Sequence, residues 1–129
     1  EKIIGTNLEG KNITFLGVTF KPNTDDMREA SSIPMIQYLN KKKCKIKYYD
    51  PSGEKSEFKN LKNVTYCKNI SLACRKADLV ILHTEWNDFK LLNFKKLIKK
   101  NKFKIYDLRN LYSPQKMKRQ KIQYYSVGR

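Results

Sequence analysis

Three cations stand where a phosphate-bearing ligand would be met. Lys21 and Arg28 lie in a polar stretch that follows an apolar run, and Arg109 lies in an Asp-Leu-Arg-Asn segment that follows another. An ammonium and two guanidinium groups beyond strand ends, with backbone amides and a helix start nearby, form a set that can hold phosphate oxygens. Arginine adds a bidentate clamp. Three such cations suit a diphosphate. They could equally be neutralised by Asp25, Asp26 and Glu85, and the residue types alone leave both readings open.

The remaining chemistry-bearing residues offer less. Asp25 and Asp26 have the makings of a metal or acid–base pair, yet aspartates in such a loop more commonly order it by accepting backbone amides. His83, the one histidine, is a possible general base, but it ends a buried run and no serine or cysteine is paired with it by sequence, so a structural role is expected. Trp86 could stack on a base; beside a helix start it is expected to pack. Cys44, Cys67 and Cys74 are odd in number and form no Cys-x-x-Cys pair. They read as small buried hydrophobes in a reducing cytoplasm, not as a disulfide framework or zinc ribbon. No catalytic nucleophile and no metal site is assigned.

Elements must position these residues. Residues 13–18 form a β-rich apolar run, read as a buried strand. After the polar stretch 21–29, Ser31 or Ser32 is expected to cap a helix with Pro34 in its first turn. Ile33, Ile36, Tyr38 and Leu39 are its expected apolar face, and Lys41, Lys42 and Lys43 lie at the negative end of its dipole. Residues 44–49 make a second strand, Asp50-Pro51-Ser52-Gly53 a turn, and residues 64–67 a third strand. Ser71 is expected to cap a helical turn over 71–76. Residues 79–83 are the best candidate for a central strand. A loop over 84–88 precedes helical spacing across 89–100. A strand at 103–106, a short helix at 115–119 after Pro114 and a last strand at 122–127 complete the pattern. Strands alternating with helices predict an α/β fold: a three-layer Rossmann-like sandwich with a mostly parallel sheet and helices on both faces. Ligands of such sheets sit beyond the carboxyl ends of strands. That singles out the loops 19–29, 84–88 and 108–112.

The whole chain bounds these readings. At 129 residues with 40% hydrophobic and 12% aromatic content, it has material for one core. No apolar run approaches the ~18–20 residues that span a bilayer, and the first residues do not resemble a signal peptide. The net charge of +16 invites a nucleic-acid or membrane partner. The basic residues are 23 Lys and only 5 Arg, beside 11 Asn and 11 Ile. Dedicated nucleic-acid sites favour Arg, so the excess reads as compositional drift, and neither nucleic acid nor membrane is expected as a partner. The Gly-x-Gly-x-x-Gly turn of a dinucleotide fold is missing after the first strand.

Residues 17–30, Gly-Val-Thr-Phe-Lys-Pro-Asn-Thr-Asp-Asp-Met-Arg-Glu-Ala, resemble the opening of the C-terminal, UDP-binding domain of the UDP-glucose/GDP-mannose dehydrogenase family. The similarity continues in order through Tyr49-Asp50-Pro51, Ala77-Asp78, Thr84-Glu85-Trp86-x-x-Phe89, Asp107-x-Arg109-Asn110-Leu111-Tyr112 and the final Tyr124-Tyr125-Ser126-Val127-Gly128-Arg129. Leu108 stands where many members have Gly.

The resemblance implies a cytoplasmic UDP-glucose 6-dehydrogenase that oxidises UDP-glucose to UDP-glucuronate with two NAD, for polysaccharide biosynthesis, as a homodimer or higher homo-oligomer. Phe20 and Lys21 then correspond to substrate-contacting positions, Arg109 to the arginine that meets the UDP end, and Arg28 to an arginine that reaches toward NAD held by the other domain. The family's catalytic cysteine lies in a Gly-Gly-x-Cys-Phe-x-Lys-Asp segment that this sequence lacks, as it lacks the NAD fingerprint. Residues 1–10 are therefore expected to be a leader from an upstream linker, and 11–129 the UDP-sugar-binding domain of a larger dehydrogenase, inactive alone. The alternatives are the same domain of a GDP-mannose or UDP-N-acetylhexosamine dehydrogenase, a free-standing nucleotide-binding or regulatory domain, and a basic nucleic-acid-binding module.

Overall fold

A computed structural model describes residue 5 and residues 7–100 and 103–127, with the side chains at 98–100 outside the description. The residues of the expected leader at 1–4 and 6, and the final Gly128-Arg129, lie outside the described residues. Leu8 is buried and packs in the core.

Six strands form one sheet: β1 (Asn12–Leu16), β2 (Lys45–Tyr49), β3 (Val64–Tyr66), β4 (Leu79–Leu82), β5 (Lys104–Asp107) and β6 (Tyr124–Ser126). Their order is β3-β2-β1-β4-β5-β6, and every neighbouring pair is parallel. The expected mostly parallel sheet is thus parallel throughout. Leu16 pairs with Tyr49 and Leu82, Leu82 with Asp107, and Asp107 with Ser126. The strands therefore end in one row, and the loops that follow share one edge.

The helices are α1 (Ser32–Lys41), α2 (Ile70–Cys74), α3 (Asn87–Lys90), α4 (Phe94–Lys100) and α5 (Pro114–Arg119), with a 3₁₀ turn at Ser56–Phe58. Two apolar clusters divide them between the sheet faces. Ile36 of α1 and Phe58 pack with Phe15, Ile46, Tyr48 and Ile81. Ala73 of α2, Phe89, Phe94 and Met117 pack with Leu16, Val80, Leu82 and Ile105. Connections running from β1 toward β3 thus use one face, and those running toward β6 use the other. This is what right-handed crossovers require of a sheet that grows outward from its middle.

Four local expectations are corrected. Neither serine caps α1: Ser31 precedes the helix with no side-chain cap bond, because its Oγ meets His83 Nε2 at 2.8 Å, while Ser32 Oγ donates to Val18 O at 2.5 Å. Tyr38 does not share the apolar face; two residues on from buried Ile36 it is rotated about 200° around the helix, and it is exposed with Lys42 Nζ 5.6 Å from its ring centroid. Asn69, not Ser71, caps α2, its Oδ1 accepting from Leu72 N at 2.8 Å. The single helical run expected over 89–100 is two helices. Phe89 and Phe94 are both buried, but five residues apart they would face about 140° from each other on one helix; the break at Leu91 lets both turn inward.

Candidate functional site

The carboxyl edge is built around backbone groups that side chains hold in place. Beyond β1, Gly17 has φ +82°, and a Cβ there would lie 2.6 Å from Thr84 Cβ. Both the backbone angle and the contact demand glycine. The strand ends of β1 and β4 are thereby brought together where the sheet order reverses, the position at which open α/β sheets bind ligands.

Asp50, at the end of β2, is fully used. Its Oδ2 accepts from Val18 N and Thr19 N at 2.8 and 3.3 Å, and its Oδ1 from Ser52 N and Ser52 Oγ at 2.9 and 2.5 Å. Buried Lys55 donates from Nζ to Ser52 Oγ at 2.5 Å. Asp107, at the end of β5, does the same for the next loop: Arg109 N, Leu111 N, Tyr112 N and the Tyr124 hydroxyl donate to it at 3.0, 2.7, 3.2 and 2.6 Å. Sequence reading saw Asp50 as a turn former and Asp107 as a motif letter. Their place directly after an apolar strand was the available signal for this anchoring role.

Between them, Thr84 Oγ1 donates to Thr19 O at 2.8 Å. That hydroxyl has one hydrogen, so its 3.0 Å contact with His83 Nδ1 assigns the proton to Nδ1. Nε2 is then the acceptor from Ser31 Oγ. Burial, helped by the Arg109 charge and opposed by Asp50, lowers the His83 pKa to about 4. Bonded at both ring nitrogens, the buried imidazole ties Ser31 to Thr84; the serine partner, 52 positions away, is one the sequence did not pair with it. Trp86 is buried and its Nε1 donates to Thr19 Oγ1 at 3.3 Å. Burial pushes the Cys74 thiol up to about 12 and raises Cys44 and Cys67, the direction that disfavours thiolate.

Against this frame the four expected site residues stand out from the fold. Phe20 is 44% exposed, and Lys21, Arg28 and Arg109 are exposed as well. Arg109 is aimed by its Nε, which donates to His83 O at 2.8 Å; this brings the β5 loop to the β4 loop. Arg28 takes the ion-pair reading: its Nε and Nη2 meet Asp26 Oδ1 and Oδ2 at 3.1 and 3.0 Å, with the Arg28 side chain 89% exposed. That hydrogen-bonded pair lowers the Asp26 pKa and raises that of Arg28. Among the described residues the ion pairs are Arg28–Asp26 and Lys43–Glu9. Lys21 and Arg109 are in neither.

An open parallel sheet in this order, with cations presented beyond its strand ends at the reversal point, defines a doubly wound α/β domain of the nucleotide-binding kind. Residues 14–114 match the UDP-glucose/GDP-mannose dehydrogenase family, UDP binding domain, and the chain belongs to that family. It is 38% identical to a UDP-glucose 6-dehydrogenase of Rickettsia felis over 129 residues, covering 98% of this chain and 29% of that protein. A solved UDP-glucose dehydrogenase from Pyrobaculum islandicum shares the fold at a TM-score of 0.71 and 26% identity, with 92% of this chain and 26% of that one covered. An NDP-N-acetyl-D-galactosaminuronic acid dehydrogenase from Methanosarcina mazei gives a TM-score of 0.78 at 23% identity, with 97% and 26% covered. The chain spans about three-tenths of the length of the curated relatives it matches.

The turn that carries a dinucleotide's pyrophosphate in other doubly wound folds does not fit one here. The amides of Val18 and Thr19 already donate to the Asp50 carboxylate, which occupies the role a phosphate would have and repels one.

Proposed function

We propose that residues 11–129 form the domain that holds the nucleotide end of UDP-glucose in a UDP-glucose 6-dehydrogenase. Phe20 and Lys21 contact the substrate, and Arg109 clamps the diphosphate. The observation that carries this reading is the tie from Arg109 Nε to His83 O, which sets an exposed guanidinium against the β4 loop, itself bonded through Thr84 to the β1 loop that presents Lys21. The 38% identity to the Rickettsia enzyme supports the same substrate class.

In this reading the domain's contribution is positioning. Contacts to the remote UDP hold the sugar's C6 alcohol at a reaction centre supplied by the rest of a longer enzyme. That centre would hold NAD, and two NAD per sugar would take the two hydrides that conversion of the C6 alcohol to the acid releases, with water supplying the second carboxylate oxygen. This chain's own part in that contact is Arg28, which Asp26 holds outward at the surface for an approaching partner domain. The three free thiols fit a reducing compartment such as the cytoplasm. A second reading, the same role for a UDP-N-acetylhexosamine, draws on the 25% identity to a solved UDP-N-acetyl-mannosamine dehydrogenase from Staphylococcus aureus.

The test is NADH formation by the full-length protein across UDP-glucose, UDP-N-acetylhexosamines and GDP-mannose. UDP-glucose is expected to give the highest kcat/KM, and residues 1–129 alone are expected to give no turnover. A preference for an N-acetylated sugar would select the second reading, and turnover by the chain alone would overturn the positioning role.

A further inference from the structure

Thr19 is 0% exposed, and each of its polar atoms is bonded to a different element. Its N–H donates to Asp50 Oδ2 beyond β2 at 3.3 Å. Its carbonyl accepts from Thr84 Oγ1 beyond β4 at 2.8 Å. Its Oγ1 accepts from Trp86 Nε1, at the start of α3, at 3.3 Å. The same Oγ1 donates to Lys21 O at 3.0 Å. A buried residue with every donor and acceptor engaged is followed at once by two exposed ones, Phe20 and Lys21. From Thr84 the path continues through His83, whose ring meets Thr84 Oγ1 at 3.0 Å and whose carbonyl accepts from Arg109 Nε at 2.8 Å. One bonded path thus joins the two exposed cations: Lys21, Thr19, Thr84, His83, Arg109.

We propose that Thr19 is a positioning residue that, through this path, fixes the spacing of Lys21 and Arg109 for two adjacent phosphates, so that the site prefers a nucleoside diphosphate to a monophosphate. The inference rests on the nucleotide-binding reading above. Its physical basis is the difference between the two cations. Arg109 is a planar fork already oriented by one of its own N–H groups, whereas Lys21 is a point charge on a flexible stem. The stem's reach is defined only if its backbone is held. Releasing the Lys21 carbonyl widens the positions the ammonium samples and lowers the share in which both cations meet one diphosphate. A monophosphate needs only one of them and is largely indifferent.

The test is calorimetric titration of UDP and UMP into the full-length protein. The unmodified protein is expected to bind UDP at least about tenfold more tightly than UMP. Thr19→Val, which keeps the shape and removes the hydroxyl, is expected to lower that ratio at least about threefold while UMP affinity stays within about twofold. Thr19→Ser restores the ratio. If Thr19→Val does not fold, Trp86→Phe, which keeps an aromatic ring and removes one donor to Thr19, lowers the ratio in the same sense. A ratio unchanged in the folded variant, or equal losses for both nucleotides, overturns the positioning role. No UDP preference in the unmodified protein, or no loss of it in Lys21→Ala, would remove the nucleotide reading and this inference with it. A preference that needs Lys21 but not Thr19 would remove Thr19 alone.

Discussion

His83 sits at the meeting point of two loops, and its chemistry there is set by its neighbours. Thr84 gives its single hydroxyl hydrogen to Thr19 O, so the ring must donate from Nδ1 and accept at Nε2. Nothing in the packing calls for a second proton, and the Arg109 charge opposes one. The folded state therefore binds that proton later than the unfolded chain, where histidine titrates near ~6.5. Stability from this group is fully present above that value and is lost as pH falls toward the folded value of about 4. The whole effect is on the order of 3 kcal/mol. Urea unfolding of the chain at several pH values, compared with His83→Asn, checks it: the unmodified chain should lose stability more steeply between about pH 6.5 and 4.5. Parallel slopes would mean that the imidazole is not held neutral. The histidine's place at the end of an apolar run was legible in the sequence. Its tautomer was not, because that depends on Ser31 and Thr19, which are 52 and 64 positions away in the chain.

At the scale of elements, the caps decide where short helices begin. α2 has only five residues, so its first turn contributes a large share of its stability. Asn69 supplies the one side-chain cap there. Asn69→Ala should cost about 1 kcal/mol in urea unfolding, and Ser71→Ala close to nothing; the reverse pattern would place the cap where the sequence alone put it. All six strands were legible to within about two residues, a margin usual for element boundaries, because period-two and fully apolar runs are strong signals. The cap errors arise differently at the two helices. Ser31 and Ser32 are both good capping residues, and tertiary neighbours, His83 and Val18 O, take their hydroxyls, while at α2 two candidates, Asn69 and Ser71, stand two residues apart and only the local geometry chooses Asn69. The split between α3 and α4 was hidden for a related reason: the residues at 89–100 have helical spacing, but Phe89 and Phe94 answer to one core.

At the scale of the molecule, the +16 charge and the site separate cleanly. Most of the lysines lie on exposed connections and helix surfaces, while the proposed binding cations are Lys21 and Arg109 alone. Those two were found in the sequence because they follow strands. The groups that aim them, Asp50, Asp107, Thr84 and Thr19, were not, since each acts through backbone atoms of distant segments. The proposed site is thus an edge property of the sheet: one row of strand ends, the four loops beyond β1, β2, β4 and β5, and a set of buried anchors behind two exposed cations. The most direct measurement of this account is titration of UDP into the full-length protein and its Lys21→Ala and Arg109→Ala variants, with thermal unfolding to confirm that each is folded. Each lost contact is of the charge-assisted kind, worth about 1.5–3 kcal/mol, so each variant should bind UDP roughly ten- to a hundredfold more weakly. UDP affinity unchanged in both folded variants would contradict it.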